Sequence, residues 1–228
     1  MTLQKLALFD LDHTLIPIDS DYAWGEFTIA RGWADPVEFK QKNDAFYAQY
    51  KAGTLNVQAY VRFATEAICR QGATNSIAAH ADFMRTVVHE AIQPQALELV
   101  RQHQHEGDTV IIVTATNEFV TRPIATAFGV EELIAVELER DTAAEGTGWF
   151  TGGIQGTPSF REGKVTRVAQ WLHAHGLNWD GVHTTFYSDS INDLPLMEKA
   201  TVAVATNPDE RLRAIATERQ WRILNLFS

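Results

Sequence analysis

Leu6-Ala7-Leu8-Phe9-Asp10-Leu11-Asp12-His13-Thr14-Leu15 decides the fold of this 228-residue chain. Its apolar opening is long enough for a buried strand and too short for a helix, so Asp10 and Asp12 fall where a core strand ends. In open α/β sheets the crevice at the carboxyl ends of the strands is the binding place. Carboxylates two residues apart on extended backbone share one face, about 6–7 Å apart along the strand. Two like charges held so close call for a cation. A hard, oxygen-preferring ion such as Mg²⁺ suits them, and it would draw a phosphate to the same point. The plainer alternative is a pair of aspartates opening a turn; the rest of the chain decides against it.

Farther out, composition narrows the classes. Hydrophobic residues make up 45% and charged residues 21%, the balance of a globular chain with room for one core and an insert. The formal net charge of −10 argues against nucleic acid or an anionic membrane as partner and favours a bound cation. Cys69 is the single cysteine, which excludes an intrachain disulfide and suits a small apolar helix position. No stretch has the layout of a signal peptide or the length of a membrane span, so a cytoplasmic protein is expected.

After Leu15 the pattern turns helical as far as Ile92. Four helices are expected: Tyr22 to Trp33, one opened by Asp35-Pro36 and closed by Gly53, one through Val57, Tyr60, Val61, Ala64 and Ile68, and one through Ile77, Ala81, Met84 and Val88. Four helices between two strands exceed what a crossover needs, which predicts an inserted helical domain at 18–90 and a core of 1–17 plus 91–228. From Pro94 helices and strands alternate, the sign of a parallel sheet with helices on both faces. The expected elements are helices at Pro94–His105, Asn117–Phe128 and Gly163–His175, with strands at Val110–Val113, Leu133–Leu138 and Thr184–Tyr187. A hairpin spans Trp149–Gly156 with Gly152-Gly153 at its turn. Two last strands, Thr201–Ala205 and Arg222–Leu226, flank a helix opened by Asn207-Pro208. His103, His105, His173, His175 and His183 show no ligand spacing and are placed at the surface.

Four places therefore converge on one sheet edge: Asp10 with Asp12, Thr114, Lys164, and Asp189 with Asp193. Asp10, Asp12 and Asp189 are metal ligands by type. Thr114 and Lys164 can hold phosphate oxygens, and one carboxylate can attack while another shuttles protons. In this order, DLDHT, the hydroxyl after VIIV, the lysine and Asp189-Ser190-Ile191-Asn192-Asp193 resemble the haloacid dehalogenase superfamily over nearly the whole chain. A helical insert directly after the first motif resembles the type with a C1 cap, and the NDLPLME run resembles the phosphoserine-phosphatase-like and histidinol-phosphatase-like branch.

The resemblance implies a Mg²⁺-dependent phosphomonoesterase in which Asp10 attacks phosphorus to form an aspartyl-phosphate. Asp12 would protonate the leaving alcohol and then activate water. Mg²⁺ would be held by Asp10, Asp189 and the backbone carbonyl of Asp12, with Asn192 and Asp193 supporting it and Asp193 also fixing Lys164. His13 is expected to be structural. The sequence departs from the phosphoserine phosphatase pattern at Ala115-Thr116 and at Ser188 and Ser190, where glycines are usual. Asp19, with Asp21 and Glu26 nearby, makes an acidic mouth suited to a substrate ammonium, and no cap arginine among Arg31, Arg62, Arg70 and Arg85 stands out as partner for a substrate carboxylate. Histidinol phosphate is therefore slightly preferred over phosphoserine. The competing readings are a phosphomutase of the same fold and a phospho-accepting switch; the second lacks a shuttle acid two residues after the acceptor.

Overall fold

A computed structural model describes residues 3–227. The six residues before the first aspartate form β1 (Gln4–Phe9), in which Gln4 and Lys5 are exposed and Leu6, Ala7, Leu8 and Phe9 are all fully buried. A strand buried on both faces belongs in the middle of a parallel sheet, and β1 sits there. The later strands are β2 (Thr109–Asn117), β3 (Glu132–Val136), β4 (Leu138–Arg140), β5 (Phe150–Ile154), β6 (Val182–Ser188), β7 (Val202–Thr206) and β8 (Arg222–Leu224). The main sheet runs β3-β2-β1-β6-β7-β8 with every neighbouring pair parallel. Strand order reverses between β1 and β6, and Phe9 is in register with Ile112 on one side and Tyr187 on the other. Asp10 and Asp189 therefore leave the sheet together at its switch point, with Thr114 near the carboxyl end of the neighbouring β2.

Alternation along the strands builds two cores. Ala7, Phe9, Val110, Ile112 and Tyr187 face one helical layer, while Leu6, Leu8, Ile111, Val113 and Phe186 face the other. The chain has an α/β Rossmann-like architecture with a helical insert after β1. The insert holds α1 (Ser20–Ala30), α2 (Pro36–Ala52), α3 (Val57–Phe83), a π-helical turn at Met84–Val88 and a short α4 (His89–Ala91). The sheet helices are α5 (Pro94–His105), α6 (Glu118–Ala127), α7 (Glu162–Ala174), α8 (Leu194–Lys199) and α9 (Glu210–Glu218). No helix among the described residues is long and apolar enough to cross a membrane.

The third and fourth helices of the insert are both present as expected, following one another within α3 on either side of a break at Gly72, whose φ of 73° and ψ of 176° only a glycine adopts without strain. Several local expectations change. Gly152 and Gly153 are not a turn but lie inside β5, which pairs antiparallel with β4; the connection is Asp141 to Trp149, whose backbones bond to each other. Gly152 instead lets β5 pass close to Thr65 and Cys69 of α3. Helix α9 is opened by Asp209, which caps Leu212 N–H, and not by Asn207-Pro208. His103 is not a surface side chain: its ring nitrogens lie 2.7 Å from Asp108 and 2.8 Å from the Tyr187 hydroxyl.

Candidate active site

The turn after β1 is held by three amides, those of Thr14, Leu15 and Ile16, all aimed at the Leu11 carbonyl, with His13 in the left-handed region at φ 56°. Asp10 N–H still pairs with the Tyr187 carbonyl at 2.9 Å, so Asp10 is anchored to β6 at the switch point. Its Oδ1 accepts from Lys164 Nζ at 2.7 Å, and the same ammonium reaches Asp193 Oδ2 at 2.7 Å. Lys164 is placed by a tight turn before α7. A Cβ at Gly163 would lie 2.0 Å from the Pro158 carbonyl, so only glycine permits that approach. Burial alone would depress the lysine pKa, but Asp10 and Asp193 outweigh it and hold it above the ordinary lysine value.

The Thr14 hydroxyl lies 3.3 Å from Asp10 Oδ2 and 3.2 Å from Asp189 Oδ1, bringing those two carboxylates to one point. Burial first, then repulsion from Asp10 and Asp193, pushes the Asp189 carboxyl well above its usual range. Asp193 is likewise raised by burial to about 6, although Lys164 opposes this, and it accepts from Ser188 Oγ at 2.7 Å. Buried Asp10 and Asp193 on one ammonium, with part-buried Asp189 beside them, leave excess negative charge, and their oxygens are hard donors. This set fits Mg²⁺. A second His and carboxylate group, His103 with Glu106 and Asp108, lies at the opposite end of the sheet beside the start of β2 and plays no part here.

Asp12 is aimed by two donors: Ser20 N–H to Oδ1 at 2.8 Å and Thr116 Oγ1 to Oδ2 at 2.8 Å. Burial, then repulsion from Asp19 and Asp10, raises its carboxyl to about 8 against the bonds from Ser20. Thr114 is buried at the end of the same strand and accepts from Thr116 N–H at 3.1 Å. Asp19 caps α1 through Oδ1, which accepts from Tyr22 N–H; its other oxygen has no partner among the described residues. Asp21 is buried and doubly bonded, to the Tyr60 hydroxyl at 2.7 Å and Asn117 Nδ2 at 3.2 Å. Glu26 is not brought to this group. It lies seven residues beyond Asp19, about 10 Å along α1, exposed and beside Lys40. Asn192 sits in the turn Ile191–Asp193, and its amide N–H bonds Ser190 Oγ.

The site residues that sequence reasoning misses are Thr14, Thr116, Ser188, Tyr60 and Asn117. Thr14 stands inside the DLDHT motif. Thr116 and Ser188 stand where the family pattern is broken, and both spend their hydroxyls on active-site carboxylates. Nothing in the local sequence of Tyr60 or Asn117 marks them, because their role rests on α3 and β2 meeting α1.

Residues 7–198 match the haloacid dehalogenase-like hydrolase family. The chain belongs to that family. Over 224 residues it is 39% identical to a histidinol-phosphatase of Neisseria meningitidis, covering 98% of this chain and 99% of that protein. It is 31% identical over 225 residues to a phosphoserine phosphatase of Mycobacterium tuberculosis, covering 97% of this chain and 70% of the relative. A solved structure of a protein of unknown function from Bordetella pertussis is similar at a TM-score of 0.91 and 46% identity, over 99% of this chain and 100% of that one. The enzyme class is phosphoric monoester hydrolase.

The buried Asp21 makes a direct prediction about this hydrolase. Burial, then Asp19, raises its carboxyl to about 7, with the Tyr60 bond opposing. The folded protein thus holds this proton more tightly than the unfolded chain. Stability from the group is full below about pH 4 and is lost as pH rises to about 7. Asp21→Asn keeps both partners, since the Tyr60 hydroxyl can turn to accept from the amide. The variant should be more stable than wild type at pH 7.5 by on the order of 2–4 kcal/mol, and equal to it near pH 4. Denaturation curves at both pH values check this; a constant difference would reject it.

Proposed function

We propose that the protein is a Mg²⁺-dependent phosphomonoesterase that forms an aspartyl-phosphate on Asp10, and that its substrate is a small phosphate ester bearing an amine, with histidinol phosphate ahead of phosphoserine. The observation that carries the amine is the acidic group at the cleft mouth, where Asp19 keeps a free oxygen and raises the carboxyls of both Asp12 and Asp21. A substrate ammonium there relieves that repulsion, whereas a purely anionic sugar phosphate adds to it. The cap arginines favour the substrate without a carboxylate. Arg31 and Arg85 pair with Asp82, Arg70 bonds Glu66 and the Trp33 carbonyl, and Arg62 is exposed. The 39% identical histidinol-phosphatase supports the same choice.

Each residue has a step. Asp10 Oδ2 is the attacking oxygen, since Oδ1 is engaged by Lys164. Lys164 and Thr114 orient the phosphoryl oxygens. Asp12, held protonated at neutral pH by its surroundings, donates to the leaving alcohol and, as a carboxylate, then takes a proton from the attacking water. Asp10, Asp189 and the backbone of Asp12 would hold Mg²⁺, with Asn192 and Asp193 in support; bound there, the ion neutralises phosphoryl charge. The insert, residues 18–90, acts as a cap on a core of 1–17 and 91–228, of which residues 1, 2 and 228 lie outside those described. It rests on the core through Tyr50 Oη and Ser190 Oγ at 3.0 Å and through Arg161 Nη1 to the Gly53 carbonyl at 2.9 Å.

A phosphate-release screen over histidinol phosphate, phosphoserine, phosphoethanolamine, sugar phosphates and nucleotides tests the substrate. Histidinol phosphate should lead. Asp19→Ala should lower kcat/KM on it by roughly ten- to a hundredfold, the worth of one charge-assisted bond, and barely touch an aryl phosphate. A lead by sugar phosphates, indifferent to Asp19→Ala, would reduce the acidic mouth to a helix cap.

A further inference from the structure

We infer that Asn207 and Asp209, in the loop between β7 and α9, are positioning residues that hold the two aspartate loops of the active site at the separation a divalent cation needs. Neither touches the reacting atoms. The loop leaves β7 at Thr206, and β7 pairs with β6, so it emerges beside the turn that follows Ser188. Asp209 N–H donates to the Asp189 carbonyl at 2.8 Å, and Asp209 Oδ2 accepts from Ile191 N–H at 3.0 Å. The peptide units on both sides of Ser190 are thereby pinned, and with them the direction in which Asp189 leaves the strand.

Asn207 reaches the other loop. Its Nδ2 donates to the His13 carbonyl at 2.9 Å, while Oδ1 accepts from Leu226 N–H at 2.6 Å and Phe227 N–H at 3.1 Å. Asn207 itself has φ 47°, a left-handed conformation that asparagine tolerates better than most residues, and its own N–H bonds the Leu224 carbonyl at 2.7 Å. The bonded carbonyl belongs to the residue directly after Asp12, at the point where His13 turns left-handed. Three successive residues thus carry one bond to the Asp12 loop and two to the Asp189 loop, with buried Pro208 stiffening the link between them. The two loops meet otherwise at Thr14, whose hydroxyl lies near Asp10 and Asp189 and accepts from Asp189 N–H at 3.1 Å. Like-charged loops repel, so a fixed brace across them keeps the carboxylates within reach of one ion.

The inference rests on the Mg²⁺ reading, and its test separates the two. Asp209→Asn keeps one acceptor, enough for the α9 cap at Leu212, but cannot also accept from Ile191. Asn207→Asp keeps the acceptors for Leu226 and Phe227, yet sets a carboxylate oxygen against the His13 carbonyl. Calorimetric titration of the purified proteins with Mn²⁺ and Mg²⁺, without substrate, gives metal affinity directly; melting temperature and circular dichroism give the fold. Support of ligand-bearing groups is typically worth about 10–100-fold in metal affinity. Each variant should lose affinity in that range, need correspondingly more Mg²⁺ for half-maximal turnover, and recover most of its kcat at saturating Mg²⁺. Wild-type metal affinity in a folded variant, whatever its melting temperature, would overturn the brace. If Asn207→Asp does not fold, Asp209→Asn decides. Failure of the wild type to bind either ion would instead refute the Mg²⁺ reading beneath it.

Discussion

Asp10→Asn is expected to lower turnover by roughly 10⁴–10⁶-fold, the scale of losing a catalytic nucleophile. The substitution is nearly isosteric. Lys164 keeps Asp193 as an ionic partner at 2.7 Å, and the amide oxygen can still accept from the lysine in place of Oδ1. What disappears is the anionic oxygen beside Thr14 that is proposed to attack phosphorus. Two measurements check the result together: the steady-state rate on an aryl phosphate, and acid-quench trapping of phosphorylated protein with labelled substrate. Both signals should vanish in the variant while its fold persists. Turnover within tenfold of wild type, or label retained on the variant, would move the nucleophile elsewhere.

The second large effect belongs to Asp12→Asn, for which a loss of about 10²–10⁴-fold is expected, the usual worth of general acid–base help. Here too the surroundings survive, because the new amide can accept from Ser20 N–H and donate to Thr116 Oγ1 where the carboxylate accepted from both. The distribution of the loss over the two chemical steps is the informative part. An aryl ester with a good leaving group needs little protonation, so the variant should still phosphorylate Asp10 at an appreciable rate. Water attack then lacks its base. A burst of phenolate followed by a slow steady state is the expected trace, and a kcat within a few-fold of wild type would remove Asp12 from the mechanism.

Both aspartates are legible in the chain itself. Asp10, Asp12, Thr114, Lys164, Asp189 and Asp193 sit at strand ends or at a helix start, places that short apolar runs and glycines mark in the sequence. Parallel strands must all deliver their ends to the same edge. The two glycines in β5 read as a turn because glycine signals both a turn and a close backbone approach, and only the packing of α3 against β5 distinguishes them. Glu26 groups with Asp19 and Asp21 by nearness in sequence, but a helix carries each successive residue about 1.5 Å along its axis, which takes Glu26 about two turns away from Asp19.

The hydrophobic periodicity and the order of the polar motifs were enough for the α/β architecture, the helical insert and the carboxylates proposed to react, since each depends on neighbours within a few residues. What holds those carboxylates was decided by contacts between segments far apart in the chain: Thr116 on Asp12, Tyr60 and Asn117 on Asp21, Asn207 on the His13 carbonyl. A hydrogen bond is short and directional, so it depends on where two backbones finally lie, and no local pattern of residue types carries that information.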